Sequence, residues 1–169
     1  MKPLRIFGID PGFDRLGVAI IDKHGQLEDL VFSDCLLSSK KDSLSARMMF
    51  LANQLEHIII RHKPNHIAIE TLFVTKNQKT AMRVAEMRGI ILYICNKHNI
   101  EVFEYQPAQV KMAITGFGRS DKRDIAFMVA KILRLDKGRK RLDDELDAIA
   151  IALTHSAHFK TYLGKTLSR

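Results

Sequence analysis

Four carboxylates lie where apolar segments end or where a helix begins: Asp10, Glu70, Asp144 and Asp147. They belong to the stretches LRIFGIDPGFDRLGVAII, HIAIETLFVTKN and LDDELDAIAIALTH. An acid at the edge of an apolar element is costly to keep charged unless something binds it. Carboxylates are hard oxygen donors, so the natural partner is Mg²⁺, with Mn²⁺ able to substitute. Two such ions ~3.5–4 Å apart activate a water and stabilise a leaving 3′-oxygen, the requirements of phosphodiester cleavage.

Each acid also has an ordinary structural use. Asp10-Pro11-Gly12 is a common turn sequence. Asp144 suits a helix N-terminus, where negative charge is stabilised by ~0.3–1 kcal/mol. Asp144 and Asp147, three apart, project ~60° from each other on one helix face. Asp143 and Asp147 form an equally good i,i+4 pair, so spacing alone leaves Asp143 and Asp144 tied. Glu70 resists a structural reading most. It ends His66-Ile67-Ala68-Ile69, apolar enough for a sheet interior, where an unpaired charge is expensive.

The elements that must position these acids are legible in outline. Leu4–Ile9 reads as a strand running into a turn, Leu16–Asp22 as a second and Leu27–Leu36 as a third, together an antiparallel meander. Leu44, Met48, Leu51, Leu55 and Ile58 place a helix over Ser43–Arg61, stopped by Lys63-Pro64-Asn65. His66–Glu70 is a buried strand, Asn77–Asn96 a helix, Glu101–Tyr105 a fifth strand and Pro107–Thr115 a short helix. Ser120 is read as the N-cap of Asp121–Leu133, and Asp143 as the cap of a last helix ending near His158. Leu142, Leu146, Ile149 and Leu153 form the stripe that packs this helix on the sheet. The fold class is therefore α/β, a five-stranded mixed sheet flanked by helices. The first and fourth strands lie side by side, bringing Asp10 and Glu70 to one edge. Residues 1–158 are read as one domain, with 159–169 as a flexible C-terminal tail.

Charge narrows the partner. The chain has 169 residues and a net charge of +8. Residues 105–141 hold ten Lys or Arg against three Asp, a surplus of seven in one stretch. Such a block marks a phosphate-binding face or an ordinary solvated one, and the adjacent acids favour nucleic acid. No apolar run approaches a membrane span, and the N-terminal residues lack a secretory apolar region. Cys35 and Cys95 fit no metal spacing or disulfide framework and read as buried thiols. These observations place the chain in the cytoplasm, with no membrane role. His155 and His158 match no metal spacing with the acids and are read as packing or exposed residues.

Taken in order, Gly8-Ile9-Asp10-Pro11-Gly12, Ala68-Ile69-Glu70, Phe73 with Lys76-Asn77, Arg88-Gly89, and Asp144-x-x-Asp147-Ala148-x-Ala150 resemble the RuvC-type Holliday-junction resolvases over residues 4–158. The resemblance implies a ribonuclease-H-like fold, a homodimer, and Mg²⁺ or Mn²⁺, two ions per active site. It implies symmetric nicking of two opposite strands of a four-way DNA junction, in recombination and repair, alongside a branch-migration motor of the RuvA–RuvB type. The family's catalytic, metal-binding acids fall on Asp10, Glu70, Asp144 and Asp147, which leaves Asp143 as the cap. Lys111 and Lys122 match basic positions near the scissile phosphate, although composition alone allows ordinary surface lysines. Phe73 is similar to an aromatic that reaches into the junction; without the resemblance it could equally pin its loop into the core. Lys76, Lys79 and Arg83 share a helix face that could line DNA phosphates. The same helix is implied in dimerisation. The family often has small residues between its last two acids. Here they are Glu145 and Leu146, and Glu145 either perturbs the site or faces solvent.

Two other classes compete. A phosphotransferase of the actin-like ATPase type can also open with Gly-Ile-Asp-Pro-Gly, but it needs two such domains and a second phosphate loop. A non-catalytic junction-binding or architectural protein of the same fold would share the basic stretch but has no need of four acids.

Overall fold

The computed structural model describes residues 2–72, 78–136 and 138–166, with side chains as far as Phe159 in the last segment. Strands β1 (Leu4–Asp10), β2 (Arg15–His24), β3 (Leu27–Leu37), β4 (His66–Glu70) and β5 (Glu101–Tyr105) form one sheet in the order β3-β2-β1-β4-β5. β1, β2 and β3 pair antiparallel, whereas β1–β4 and β4–β5 are parallel. The sheet is mixed, as expected, and the first and fourth strands are neighbours.

A parallel pair needs a crossover, and here each crossover is a helix. α1 (Leu44–His62) joins β3 to β4, and α2 (Gln78–Lys97) joins β4 to β5. Both cover one face. Met48, Leu51 and Leu55 of α1 and Met87 and Ile91 of α2 pack on Phe7, Ile9, Ile67 and Ile69. Each of these large side chains contributes ~1.5–3 kcal/mol by leaving water. Ser43 caps α1 by accepting from the Ala46 N–H at 3.3 Å, and Lys63, at φ 49°, ends it before Pro64.

The other face is covered by α3 (Pro107–Thr115), α4 (Lys122–Ile132) and α5 (Asp143–Thr166). The alternation along β1 and β4 sorts side chains between the two layers. Ile9 and Ile69 point to α1 and α2. Ile6 and Ala68 belong to the core under α5, with Ala148, Ile149, Ile151 and Ala152. α5 lies unusually close to the sheet. A Cβ on Gly8 would stand 2.2 Å from the Ala148 carbonyl oxygen, so no other residue lets the helix backbone approach β1 this way.

Several boundaries differ from the sequence reading. Asp121, not Ser120, caps α4: it accepts from the N–H groups of Arg123 and Asp124, and Asp124 accepts from its N–H in return. Ser120 spends its hydroxyl on Thr115 and the Phe117 carbonyl. Asp143 is the first helical residue of α5 rather than its cap, and the Leu142 carbonyl accepts from the Leu146 N–H. Leu142 is exposed and does not join the expected stripe. α5 is instead buried on every side from Ala148 to Ser156, and it continues to Thr166, past His158.

Candidate active site

The parallel register carries Ile9 beside Ile69, so the next residue of each strand, Asp10 and Glu70, ends at the same edge of the sheet. By the same alternation both share the face of Ile6 and Ala68, the face under α5. The first turn of α5 meets this edge because Gly17, paired with Asp10 across β1–β2, has no side chain. A Cβ there would sit 1.9 Å from the Asp144 carbonyl oxygen. Asp144 and Asp147 therefore descend on Asp10 from above.

The four acids share an electrostatic environment. Burial first, then the charges of Asp147, Glu70 and Asp144, push Asp10 up to about 8. Burial and Asp147 push Glu70 up to about 7, against the pull of Lys122 and Lys111. Asp147 is raised by burial, with Lys122 opposing. Lys122 Nζ lies 3.2 Å from Asp147 Oδ2, the direct contact between the basic stretch and the acids. Burial works against the Lys122 charge, but Asp147, Asp143 and Asp10 hold its pKa up. Arg15 Nε stands 3.2 Å from Asp144 Oδ2, yet that oxygen is buried and accepts no hydrogen bond.

Among the described residues, no three His, Cys, Asp or Glu side chains converge into a ready-made metal cage. The donors nonetheless fit a hard divalent cation. They are all-oxygen, mutually repelling, half-buried, and include a carboxylate oxygen with no hydrogen-bond donor. Asp10 and Glu70 also open on a cleft of about 210 Å³ walled by Pro11, Leu72, Thr80, Val84 and Arg88.

A family model described as crossover junction endodeoxyribonuclease RuvC matches residues 6–155. The chain belongs to this family. It is 39% identical over 150 residues to the crossover junction endodeoxyribonuclease RuvC of Petrotoga mobilis, covering 89% of this chain and 91% of the relative. It is 39% identical over 165 residues to that of Fusobacterium nucleatum, covering 96% and 86%. The solved structure of Thermus thermophilus RuvC in complex with a Holliday junction substrate superposes with a TM-score of 0.88 at 28% identity, over 94% of this chain and 96% of that one. The sheet and helices are thus those of a RuvC, a ribonuclease-H-like resolvase fold, and RuvC proteins are nucleases that depend on a divalent metal.

Of the residues singled out in the sequence, the RuvC fold brings together Asp10, Glu70, Asp144, Asp147 and Lys122. Lys111, on α3, is near enough to lower Glu70. Asp143 is exposed, on the outer side of the turn that carries Asp144. Phe73 and Lys76 lie outside the described residues. Lys79 is exposed on α2, whereas Arg83 is half-buried with its guanidinium 5.5 Å from the centre of the Phe13 ring. His155 is a core residue, 1% exposed, between Tyr105 and His66. Cys35 and Cys95 are free, buried thiols. Among the described residues no helix is long and apolar enough to cross a membrane.

Two residues at the site were given no role in the sequence reading, and a third, Glu145, differs from it. Arg15 faces Asp144. Arg88 lines the cleft and pairs with Glu104 at 2.6 Å. Glu145 does not face solvent. It is 4% exposed and bound by two arginines. Its position between two candidate ligands was visible, but its partners on β3 and the preceding loop were not.

Proposed function

We propose that this chain is a structure-selective endonuclease that resolves Holliday junctions by paired, symmetric nicks in two opposite strands. One observation carries the reading: three distant segments deliver Asp10, Glu70, Asp144 and Asp147 to one sheet edge, in a fold that superposes on a RuvC holding a Holliday junction. A non-catalytic DNA-binding protein of the same fold has no reason to maintain four mutually repelling acids there.

Asp10, Glu70, Asp144 and Asp147 are the residues that would hold metal, Mg²⁺ with Mn²⁺ as a substitute, two ions per site. Bound there, the ions would supply Lewis acidity and lower the pKa of a water so that it loses a proton and becomes a nucleophile for phosphorus. The reaction adds water across one P–O3′ bond, leaving a 5′-phosphate and a 3′-hydroxyl. The chain's own residues do the rest. Lys122, beside Asp147, and Lys111, facing Glu70, would pair with the scissile phosphate and hold it against the acids. Phe73 would stack on an unpaired base, a contact of ~1–3 kcal/mol. Lys76, Lys79 and Arg83 would line the strand on its way in. Two symmetric nicks require two sites, so the enzyme works as a homodimer on the junction. A branch-migration motor of the RuvA–RuvB type would deliver the substrate, and the setting is the cytoplasm.

Incubation with a synthetic four-way junction, with and without Mg²⁺, tests the reading. Paired nicks at symmetric positions are expected with the metal. Binding without cleavage would establish the architectural alternative, and uniform degradation of duplex would indicate a general nuclease.

A further inference from the structure

Glu145 occupies α5 between Asp144 and Asp147, yet its side chain turns away from them. Successive helical residues are ~100° apart, so Glu145 projects ~160° from Asp147. Its Oε1 accepts from Ser33 Oγ on β3 at 2.6 Å and from an Arg139 guanidinium N–H at 2.9 Å. Arg141 Nε stands 3.4 Å from the same oxygen. Arg139 also donates to the Ser33 carbonyl at 2.9 Å, closing a ring through helix, strand and loop. Ser33 is 3% exposed and Glu145 4%. A carboxylate so buried is a liability unless partnered, and these partners come from two separate segments, β3 and the loop before α5.

The clasp sits at the first turn of α5, N-terminal to the stretch from Ala148 to Ser156 that is buried on every side. Gly17 fixes how closely the first turn of α5 approaches the sheet, but a smooth contact does not fix rotation about the helix axis. Glu145, tied to β3 on the side opposite Asp147, does. A roll that freed Glu145 would swing Asp147 and Asp144 away from Asp10 by the same angle. Arg139 and Arg141 lie in the loop joining α4, which carries Lys122, to α5, which carries the acids. They also neutralise the charge that Glu145 would otherwise add to the cluster.

We infer that Glu145, held by Ser33, Arg139 and Arg141, is a positioning residue that sets the rotation of Asp144 and Asp147 toward the metal. This rests on the reading of those two acids as metal ligands. Groups that orient ligands in this way typically cost ~10–100-fold in metal affinity or activity when removed.

The test compares Glu145→Ala, Glu145→Gln, Ser33→Ala and Arg139→Ala with the wild type and with Asp147→Asn. Mn²⁺ alone is titrated by calorimetry, junction binding is measured in EDTA, and cleavage is followed against Mg²⁺ concentration. Glu145→Ala should weaken Mn²⁺ by ~10-fold or more, leave metal-free junction binding within about twofold, and recover cleavage at high Mg²⁺. Glu145→Gln, which still accepts from Ser33, should restore most of the Mn²⁺ affinity. A purely structural role would lower stability without moving the Mg²⁺ dependence. If Glu145→Ala does not fold, Ser33→Ala and Arg139→Ala decide. Unchanged Mn²⁺ affinity in both would overturn the inference. Loss of Mn²⁺ binding in Asp147→Asn with none in the clasp variants refutes the inference alone, whereas full binding and cleavage by Asp147→Asn refutes the site itself.

Discussion

Asp10 and Glu70 end neighbouring parallel strands one residue beyond the Ile9–Ile69 pair, so two acids sixty positions apart are held side by side by backbone register. Nothing in either side chain is needed to bring them together. The consequence is repulsion built into the fold, with Asp10 pushed up to about 8 and Glu70 to about 7.

That repulsion makes Asp10→Asn an informative substitution. A carboxyl whose folded pKa is raised stabilises fully below its unfolded value, near 4, and loses that contribution as pH rises toward 8. The metal-free wild type should therefore be weaker at pH 8 than Asp10→Asn, by on the order of a few kcal/mol, or ~5–10 °C in melting temperature. The difference should vanish near pH 4. Cleavage by the variant should fall ~100-fold or more, with junction binding retained. Thermal melts in EDTA from pH 4 to 8 check the first point. Equal melting at pH 8 would contradict the crowding of these acids.

Metal binding should follow the same protons. Acids carrying protons near neutrality must release them to bind a cation, so Mg²⁺ affinity should rise from pH 6 to 8, by about tenfold per pH unit for each proton released. Calorimetry in two buffers of different ionisation enthalpy reports the proton count directly. EDTA should abolish cleavage and leave junction binding. A pH-independent affinity with no proton release would argue against Asp10 and Glu70 as ligands.

Much of this arrangement was readable from the chain. β4, β5 and α3 fall at the residues that apolar alternation and Pro107 indicate. Asp10 and Glu70 announce themselves because each ends a strand too apolar to host a stray charge. What could not be read depends on tertiary contact. Ser120 and Asp121 are both good caps, and only the reciprocal bonding of Asp121 with Asp124 decides between them. That the turn carrying Asp144 lies against the sheet depends on Gly17, far away in the chain. From Ala148 to Ser156 α5 is buried all round, so that stretch shows no exposed face to mark its packing stripe. The clasp on Glu145 joins segments more than a hundred residues apart in the chain.

The glycines under α5 give a packing prediction. In Gly8→Ala the new methyl would meet the Ala148 carbonyl oxygen and the Ala152 Cβ, backbone and side chain of a helix that is itself fully enclosed. Neither can yield without lifting the helix. We expect a loss of about 3 kcal/mol, at the upper end of overpacking costs. Gly17→Ala should be comparably destabilising and should also weaken Mg²⁺, since its methyl strikes the turn carrying Asp144. Urea denaturation and metal titration separate the two effects. A Gly17→Ala protein with wild-type metal affinity would show that the close approach does not set the site.

His155 makes the fold acid-sensitive independently of the acids. It is 1% exposed, with Nδ1 2.8 Å from the Tyr105 hydroxyl and Nε2 2.9 Å from His66 Nδ1. Burial, then His66, His158 and Lys23, push it down to about 3. A base depressed in the folded state favours folding fully above its unfolded value, near 6.5, and loses that contribution as pH falls toward 3. Stability should drop by up to ~1.4 kcal/mol per pH unit in this window from His155 alone. His155→Gln, though weaker at neutral pH, should show a shallower decline. Denaturation midpoints from pH 7 to 4 check this, and parallel slopes for the two proteins would rule it out.

Lys122 and Lys111 should separate chemistry from affinity. Lys122 meets Asp147 at 3.2 Å, and both lysines act on Glu70, so each stands where a phosphate would face the acids. The wider basic stretch over residues 105–141, apart from Arg139 and Arg141 that pair with Glu145, supplies affinity that does not depend on this position. Junction binding as a whole should fall ~10³-fold or more between 50 and 200 mM salt if six or more phosphates are engaged. Lys122→Met removes one of many contacts, so the salt slope should shrink by about one and affinity should change little. Its cleavage rate at saturating junction should fall ~100-fold, because the charge lost is the one beside the reacting phosphate. Lys111→Met should behave alike. The same variants lose the counter-charge to Asp147 and Glu70, so their metal affinity should hold or rise. Gel-shift titrations across salt and single-turnover cleavage distinguish these outcomes. A variant that loses affinity and rate in equal proportion would place Lys122 among the general phosphate contacts and outside the reaction itself.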